Sequence, residues 1–158
     1  MTEWLPPLVY LSDYKGNFTS YQNAVYEHFK ADLISSKAFF QGNTISLRRN
    51  PEFQGREYSF WHITSGGNVE DERLPDLRRY ERIRWIRPII ENAEDSAIKQ
   101  WENKRSGEPR ICLWLEEEDY LVILAPRKNY ILLLTAYMTD RDETRRKLRK
   151  EYTQSLKG

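Results

Sequence analysis

The amino-acid sequence predicts an α+β domain: a small antiparallel sheet of about four to five strands packed with N-terminal, middle and C-terminal helices. Three observations predict it. Near the N-terminus, Tyr21, Val25, Phe29 and Leu33 recur at helical spacing. In the last third, three apolar runs are joined by connections too short for anything but antiparallel hairpins. A charged helix then closes the chain. The 158 residues fit one domain, 1–158, and 39% apolar content with 13% aromatics supports a core without a staple.

Each element has a local reason. Residues 1–18 read as an irregular lead-in, with Pro6-Pro7 and then Lys15-Gly16-Asn17 as a turn. The α+β core spans 19–158. A first helix starts at Thr19 or Ser20, both good N-caps, and runs to about Ser36. Thr44 to Arg48 alternates like a strand, and Arg49-Asn50-Pro51 breaks it. Glu57 to Thr64 is rich in strand formers and ends at Ser65-Gly66-Gly67. A second helix begins at Pro75-Asp76, with Leu77, Ile83, Ile86 and Ile90 as its apolar stripe and Pro88 as a kink or division. A short helix over Ala97 to Lys104 and a turn at Ser106-Gly107 follow. Arg110 to Glu116, Tyr120 to Arg127 and Tyr130 to Tyr137 form the three-strand meander. The last helix covers Arg141 to Ser155.

Composition excludes several classes. Cys112 is the sole cysteine, so neither an intramolecular disulfide nor a Cys-rich zinc site can form. Its place in an apolar run marks it as a small core residue. The N-terminus has no basic leader, and the longest apolar stretch, Tyr130 to Met138, is nine residues. A bilayer span needs roughly 20, so a cytoplasmic chain without a membrane partner is expected. Net charge is +1, no global case for a nucleic-acid binder. The distribution says more. Arg73, Arg78, Arg79, Arg82, Arg84 and Arg87 cluster in one stretch, and Arg141, Arg145, Arg146, Lys147, Arg149 and Lys150 in another.

No P-loop, GxGxxG, GxSxG or HExxH motif is present, so neither a cofactor nor a metal is expected. His28 reads as structural. His62 ends an expected strand beside Thr64, Ser65 and a Gly pair, where it can act as acid or base. The bland alternative is a core histidine satisfied by a backbone carbonyl. The arginine helix offers planar forks to phosphate, or else a solvated face paired with Asp76, Glu81 and Glu91. On the final strand, parity puts Ile131, Leu133, Thr135 and Tyr137 on one face, expected to be shared with His62, and Leu132, Leu134 and Ala136 on a face covered by helices.

Taken together, the segment from Tyr58 through His62 to Gly66, the arginine helix ERIRWIRPIIEN and the strand RKNYILLLTAYM with its basic helix resemble one group of nucleases. These are the phage-associated relatives of barnase, EndoU, the colicin tRNases and RelE-type toxins, called the BECR fold. The resemblance covers roughly residues 20 to 155. It implies metal-independent cleavage of RNA: the ribose 2′-hydroxyl attacks the neighbouring phosphate and leaves a 2′,3′-cyclic phosphate and a 5′-hydroxyl. It implies a toxin or phage–host conflict role and a protein inhibitor as partner. Carried over by motif, His62 is the proton-transfer group, with Thr135 and Tyr137 at the polar end of the last strand. Arg82, Arg84, Arg87, Thr64, Ser65 and Lys128 become substrate contacts. EndoU-type sites use two histidines, and His28 lies in the wrong place to be the second, so another group such as Tyr137 or Glu57 must take that role. The competing readings are a non-catalytic RNA-binding module and a protein-interaction domain.

Overall fold

The computed structural model describes residues 2–67 and 73–157. The lead-in carries a 3-10 turn at Leu11–Tyr14 and reverses at Lys15 and Gly16, whose φ angles are 56° and 74°. Helix α1 (Phe18–Leu33) starts earlier than expected. Asn17 is its N-cap, and the Asn17 side chain accepts from the Ser20 amide at 3.0 Å. Tyr21, Val25, Phe29 and Leu33 are its buried residues, as their spacing dictates.

There follow β1 (Phe39–Phe40), β2 (Asn43–Ser46), α2 (Tyr58–Thr64), β3 (Ser65–Gly66), β4 (Leu74–Pro75), α3 (Leu77–Glu81) and α4 (Ile86–Glu91). The chain then runs through β5 (Lys99–Arg105), β6 (Glu108–Leu115), β7 (Tyr120–Pro126), β8 (Ile131–Met138) and α5 (Asp142–Ser155). The main sheet has six strands in the order β1-β2-β8-β7-β6-β5. A two-stranded ribbon, β3 with β4, stands apart.

Four expectations are corrected. First, the sheet is mixed, because β2 runs parallel to β8, Ile45 opposite Ile131. The two strands are far apart in sequence, so no short connection fixes their direction. Second, Lys99–Arg105 is a strand, not a helix, which makes the meander four-stranded. Ser106 and Gly107, with φ 54° and 80°, build the two-residue turn that folds it onto β6. Third, Tyr58–Thr64 is a helix rather than a strand. Fourth, β8 carries a bulge: Ile123 faces Thr135, but Leu124 faces Leu133. The extra residue flips the parity beyond it. The helical break before Pro88 also falls earlier, in a 3-10 turn at Ile83–Trp85, and Pro88 sits in the first turn of α4 where its missing N–H costs nothing.

The sheet has a core on each face. On one, Ile45, Ile111, Leu113, Val122, Leu124, Leu133 and Ala136 meet Val25 and Phe29 of α1, Phe60 and Ile63 of α2, Tyr80 of α3 and Ile86 of α4. On the other, Trp101, Cys112, Trp114, Leu121 and Ile123 meet Leu148 and Tyr152 of α5. A charge hub pins α5: Lys99, Arg145 and Arg149 surround Glu116, and Arg145 also meets Asp119. No helix among the described residues is long and apolar enough to cross a membrane.

What places the site is an incompletely paired strand. β2 covers β8 only at Ile131 and Leu132. Alongside the rest of β8 lie α2 and α3. Two clefts border the β3–β4 ribbon, one reaching Ser65 and the other Gly66, Leu74, Pro75 and, on β8, Tyr137 and Met138.

Candidate functional site

The first cleft forms around α2. Phe60 and Ile63 are fully buried and three apart, and Phe60 packs edge-on against Phe29, Tyr26 and Tyr80. That burial outweighs the strand propensity of the segment. The first turn is satisfied from outside: the Arg49 and Arg48 carbonyls accept from the Tyr58 and Ser59 amides at 2.9 and 3.0 Å. The Ser59 hydroxyl accepts from the Arg48 amide at 2.8 Å.

Helical spacing stacks His62 on Tyr58. Their centroids are 5.5 Å apart and 18° from parallel, with the Tyr58 hydroxyl 3.4 Å from His62 Nδ1. The Arg48 guanidinium lies over the Tyr58 ring, 4.1 Å from its centroid. A loop with a cis peptide at Asn50-Pro51 supplies Pro51, Glu52 and Phe53 as the opposite wall. Trp61 ties that wall down, donating from Nε1 to the Phe53 carbonyl at 2.8 Å. Phe53 is 61% exposed, with its ring edge-on to Trp61.

Arg73 crosses the end of α2. Its Nη2 donates to the His62 carbonyl at 2.6 Å and to the Ser65 carbonyl, while Nη1 donates to the Gly67 carbonyl at 3.0 Å. It fixes the backbone that carries His62 and leaves a positive charge on the cleft wall. The cleft measures about 530 Å³ and is lined by Pro51, Glu52, Phe53, Tyr58, Trp61, His62, Ser65 and Arg73.

The second cleft, about 720 Å³, is bounded by Gly66, Gly67, residues 74–79, Tyr137, Met138, Asp140 and Arg141. Gly66 lets the ribbon approach α3: a Cβ there would sit 3.3 Å from Asp76 Oδ2. Arg79 lies 5.5 Å over the Tyr137 ring and pairs with Asp76 at 3.5 Å. Its Nη1 is buried without a hydrogen-bond partner among the described residues. Burial, then the nearby charge of Arg73, pulls the Arg79 guanidinium below its ordinary pKa. Burial raises the Tyr137 phenol, against the pull of Arg110, Arg105 and Arg79.

The expected site residues are thus divided. His62 and Ser65 line the first cleft. Tyr137 lines the second. The bulge puts Leu134 and Tyr137 into the α5-side core group, while Leu133 and Ala136 join the other. Thr135 stands opposite Ile123, on the α5 side. The expected common face with His62, and the expected grouping of Leu133 with Tyr137, are therefore corrected. Thr64 is fully buried, its hydroxyl donating to the Phe60 carbonyl at 2.8 Å, which puts it in the core.

Arg82 lies over Trp85 and pairs with Glu81. The charge of Arg84 acts on His28 and Asp32 of α1. Arg87 caps the end of α1, donating to the Asp32 and Ser36 carbonyls at 2.9 and 2.5 Å. Lys128 is exposed in the β7–β8 turn. These four are absent from the described lining of both clefts. Glu57 accepts from the Tyr26 hydroxyl at 2.9 Å. The cations that do line the clefts are Arg73, Arg78, Arg79 and Arg141. Arg73, Arg78 and Arg79 belong to the arginine-rich stretch that the sequence singled out, at its N-terminal end.

Scans against protein-family models, curated proteins and solved structures find no match for this chain.

Proposed function

We propose that the protein is a metal-independent endoribonuclease acting on single-stranded RNA at the cleft around His62. The observation that carries this is the His62 imidazole stacked on Tyr58, with Arg73 against its carbonyl, in an open cleft also lined by Phe53 and Trp61. A base stacks on the exposed aromatic wall, which suits any sequence because every base has a π-face. His62 takes the proton of the ribose 2′-hydroxyl. The 2′-oxygen attacks phosphorus, the bond to the 5′-oxygen breaks, and a protonated group returns a proton to that oxygen. Products are a 2′,3′-cyclic phosphate and a 5′-hydroxyl. Arg73 and, across the ribbon, Arg79 and Arg141 hold the charge that grows on the phosphate.

The test is incubation with an unstructured labelled RNA and analysis of its ends. Cleavage leaving cyclic phosphate ends is expected. His62→Ala is expected to lower the rate by about 10²–10⁴-fold, with little change in melting temperature because the side chain is half-buried outside the core. Ends bearing 5′-phosphate, or full activity in His62→Ala, would sink the proposal.

One observation favours a second reading, a non-catalytic RNA-binding module. Thr135 and Tyr137, the other members of the resemblance-based set, belong to the α5 side of the sheet and not to the His62 cleft. The same RNA, shifted in a gel but recovered intact, would favour that reading.

A further inference from the structure

We infer that the outward face of α5 is a phosphate-tracking surface continuous with the second cleft, so that the protein binds an RNA strand several nucleotides longer than the clefts hold. The inference rests on the reading above for the identity of the ligand as RNA.

The inner side of α5 is fully occupied. Leu148 and Tyr152 pack on the sheet, and Arg145 and Arg149 are held by Glu116. The outer side is different. Arg146 and Lys150 lie four apart on one line of the helix, and Lys147 lies three from Lys150. All three are exposed. Among the described residues none of them forms an ion pair, although Asp142 and Glu143 stand about one turn away. Like charges at these spacings each cost the helix a few tenths of a kcal/mol. The helix therefore carries unneutralised positive charge in a chain whose net charge is only +1.

Position decides what that charge meets. Arg141 is the N-cap residue of α5 and also lines the second cleft, beside Arg78 and Arg79. A strand leaving that cleft past Arg141 reaches Arg146 within about 8 Å and Lys150 about 6 Å later, at 1.5 Å of rise per residue. Side chains without carboxylate partners sit among mobile counterions. A polyanion gains free energy by releasing the counterions condensed on itself when such cations replace them. These side chains are long and exposed, which suits phosphates in any sequence and gives no base readout.

The experiment compares the wild type with an Arg146→Gln, Lys147→Gln, Lys150→Gln variant. Cleavage is measured on a tetramer and on an unstructured strand of about 30 nucleotides, and binding of the long strand is measured with His62→Ala in both backgrounds. The variant should cleave the tetramer at the wild-type rate and lose efficiency only on the long strand. In binding, each lost phosphate contact should flatten the log–log salt slope by about 0.7. Three contacts would make the wild-type advantage shrink about 20-fold between 50 and 200 mM salt. Melting temperature should not fall, since repulsion is relieved. Equal loss on both substrates, or an unchanged slope, overturns the inference. Stripe-dependent binding of an RNA that is never cleaved would keep the surface and retire the nuclease. An acidic protein that binds by the stripe while RNA does not would retire both.

Discussion

At the scale of single residues, the proposed chemistry depends on which side chains share a cleft with His62. Tyr58 stacks on the imidazole, and Arg73 holds the backbone carbonyl of the same residue as that imidazole. Tyr137 lines the other cleft beneath Arg79. Tyr137→Phe tests whether the two clefts act on one phosphate. If the hydroxyl moves a proton, cleavage should fall by about 10²–10⁴-fold; if the ring only stacks, activity should change by a few fold. Cys112 is a quieter case. It is 1% exposed, and burial pushes its thiol up to about 11. Native protein should resist alkylation near neutral pH and react on unfolding, measured by mass spectrometry. The linkage has a definite sign. A thiol raised in the folded state favours folding below its unfolded value near 9 and loses that contribution as pH rises toward 11. Tyr26, pushed up to about 12 by burial and its bond to Glu57, adds to the same alkaline loss.

At the scale of elements, α5 is held by charge as well as by packing. Burial would raise the Glu116 carboxyl, but its hydrogen bonds and ion pairs with Lys99 and Arg149 outweigh this and hold it below the usual carboxylate range. Such a group stabilises the fold above its unfolded value and loses that contribution as pH falls through the folded one. Glu116→Gln should therefore cost about 1–3 kcal/mol at neutral pH in denaturant titrations. It should also remove part of the wild type's loss of stability in acid. Unchanged stability would mean that Leu148 and Tyr152 alone seat the helix. Element type was legible wherever one face alone is buried. The first helix buries Tyr21, Val25, Phe29 and Leu33 together, whereas a strand would put Asn23 and Glu27 on the same face as those four. Tyr58–Thr64 misleads because its residues are strand formers. Its true signal is the three-residue spacing of Phe60 and Ile63, which becomes decisive only once α1 offers them a core. Lys99–Arg105 misleads in the opposite way: an outer strand beside α5 buries Trp101 and leaves Glu102, Lys104 and Arg105 in water, a composition that reads as helix.

At the scale of the whole molecule, charge is sorted rather than abundant. A nearly neutral chain places Arg73, Arg78, Arg79 and Arg141 around two adjacent clefts. If those cations hold the substrate phosphate, RNA cleavage should persist in excess EDTA. Loss of activity in EDTA, restored by Mg²⁺ or Mn²⁺, would defeat the metal-independent mechanism. Activity should also fall with added salt, because exposed guanidinium–phosphate attraction is screened.

The sequence by itself determined the α+β class, the α1 core stripe, the antiparallel order of the last three strands and the buried state of Cys112. Each of these follows from spacing or loop length, which are local properties. It also drew attention to His62 and to the arginine-rich stretch beginning at Arg73. Tertiary structure alone decided the rest. A single bulge at Leu134 reversed which face Thr135 and Tyr137 share, since one extra residue inverts a two-residue period. The parallel β2–β8 pair covers only Ile131 and Leu132 of β8, and the second cleft is lined by Tyr137 and Met138 of the remainder. Which arginines line the clefts was decided the same way. Arg82 and Arg87 spend their donors on Glu81 and on the carbonyls that end α1, whereas Arg79 and Arg141 reach the cleft. For Arg87 the deciding partners are the carbonyls of Asp32 and Ser36, distant in sequence, and no local pattern encodes them.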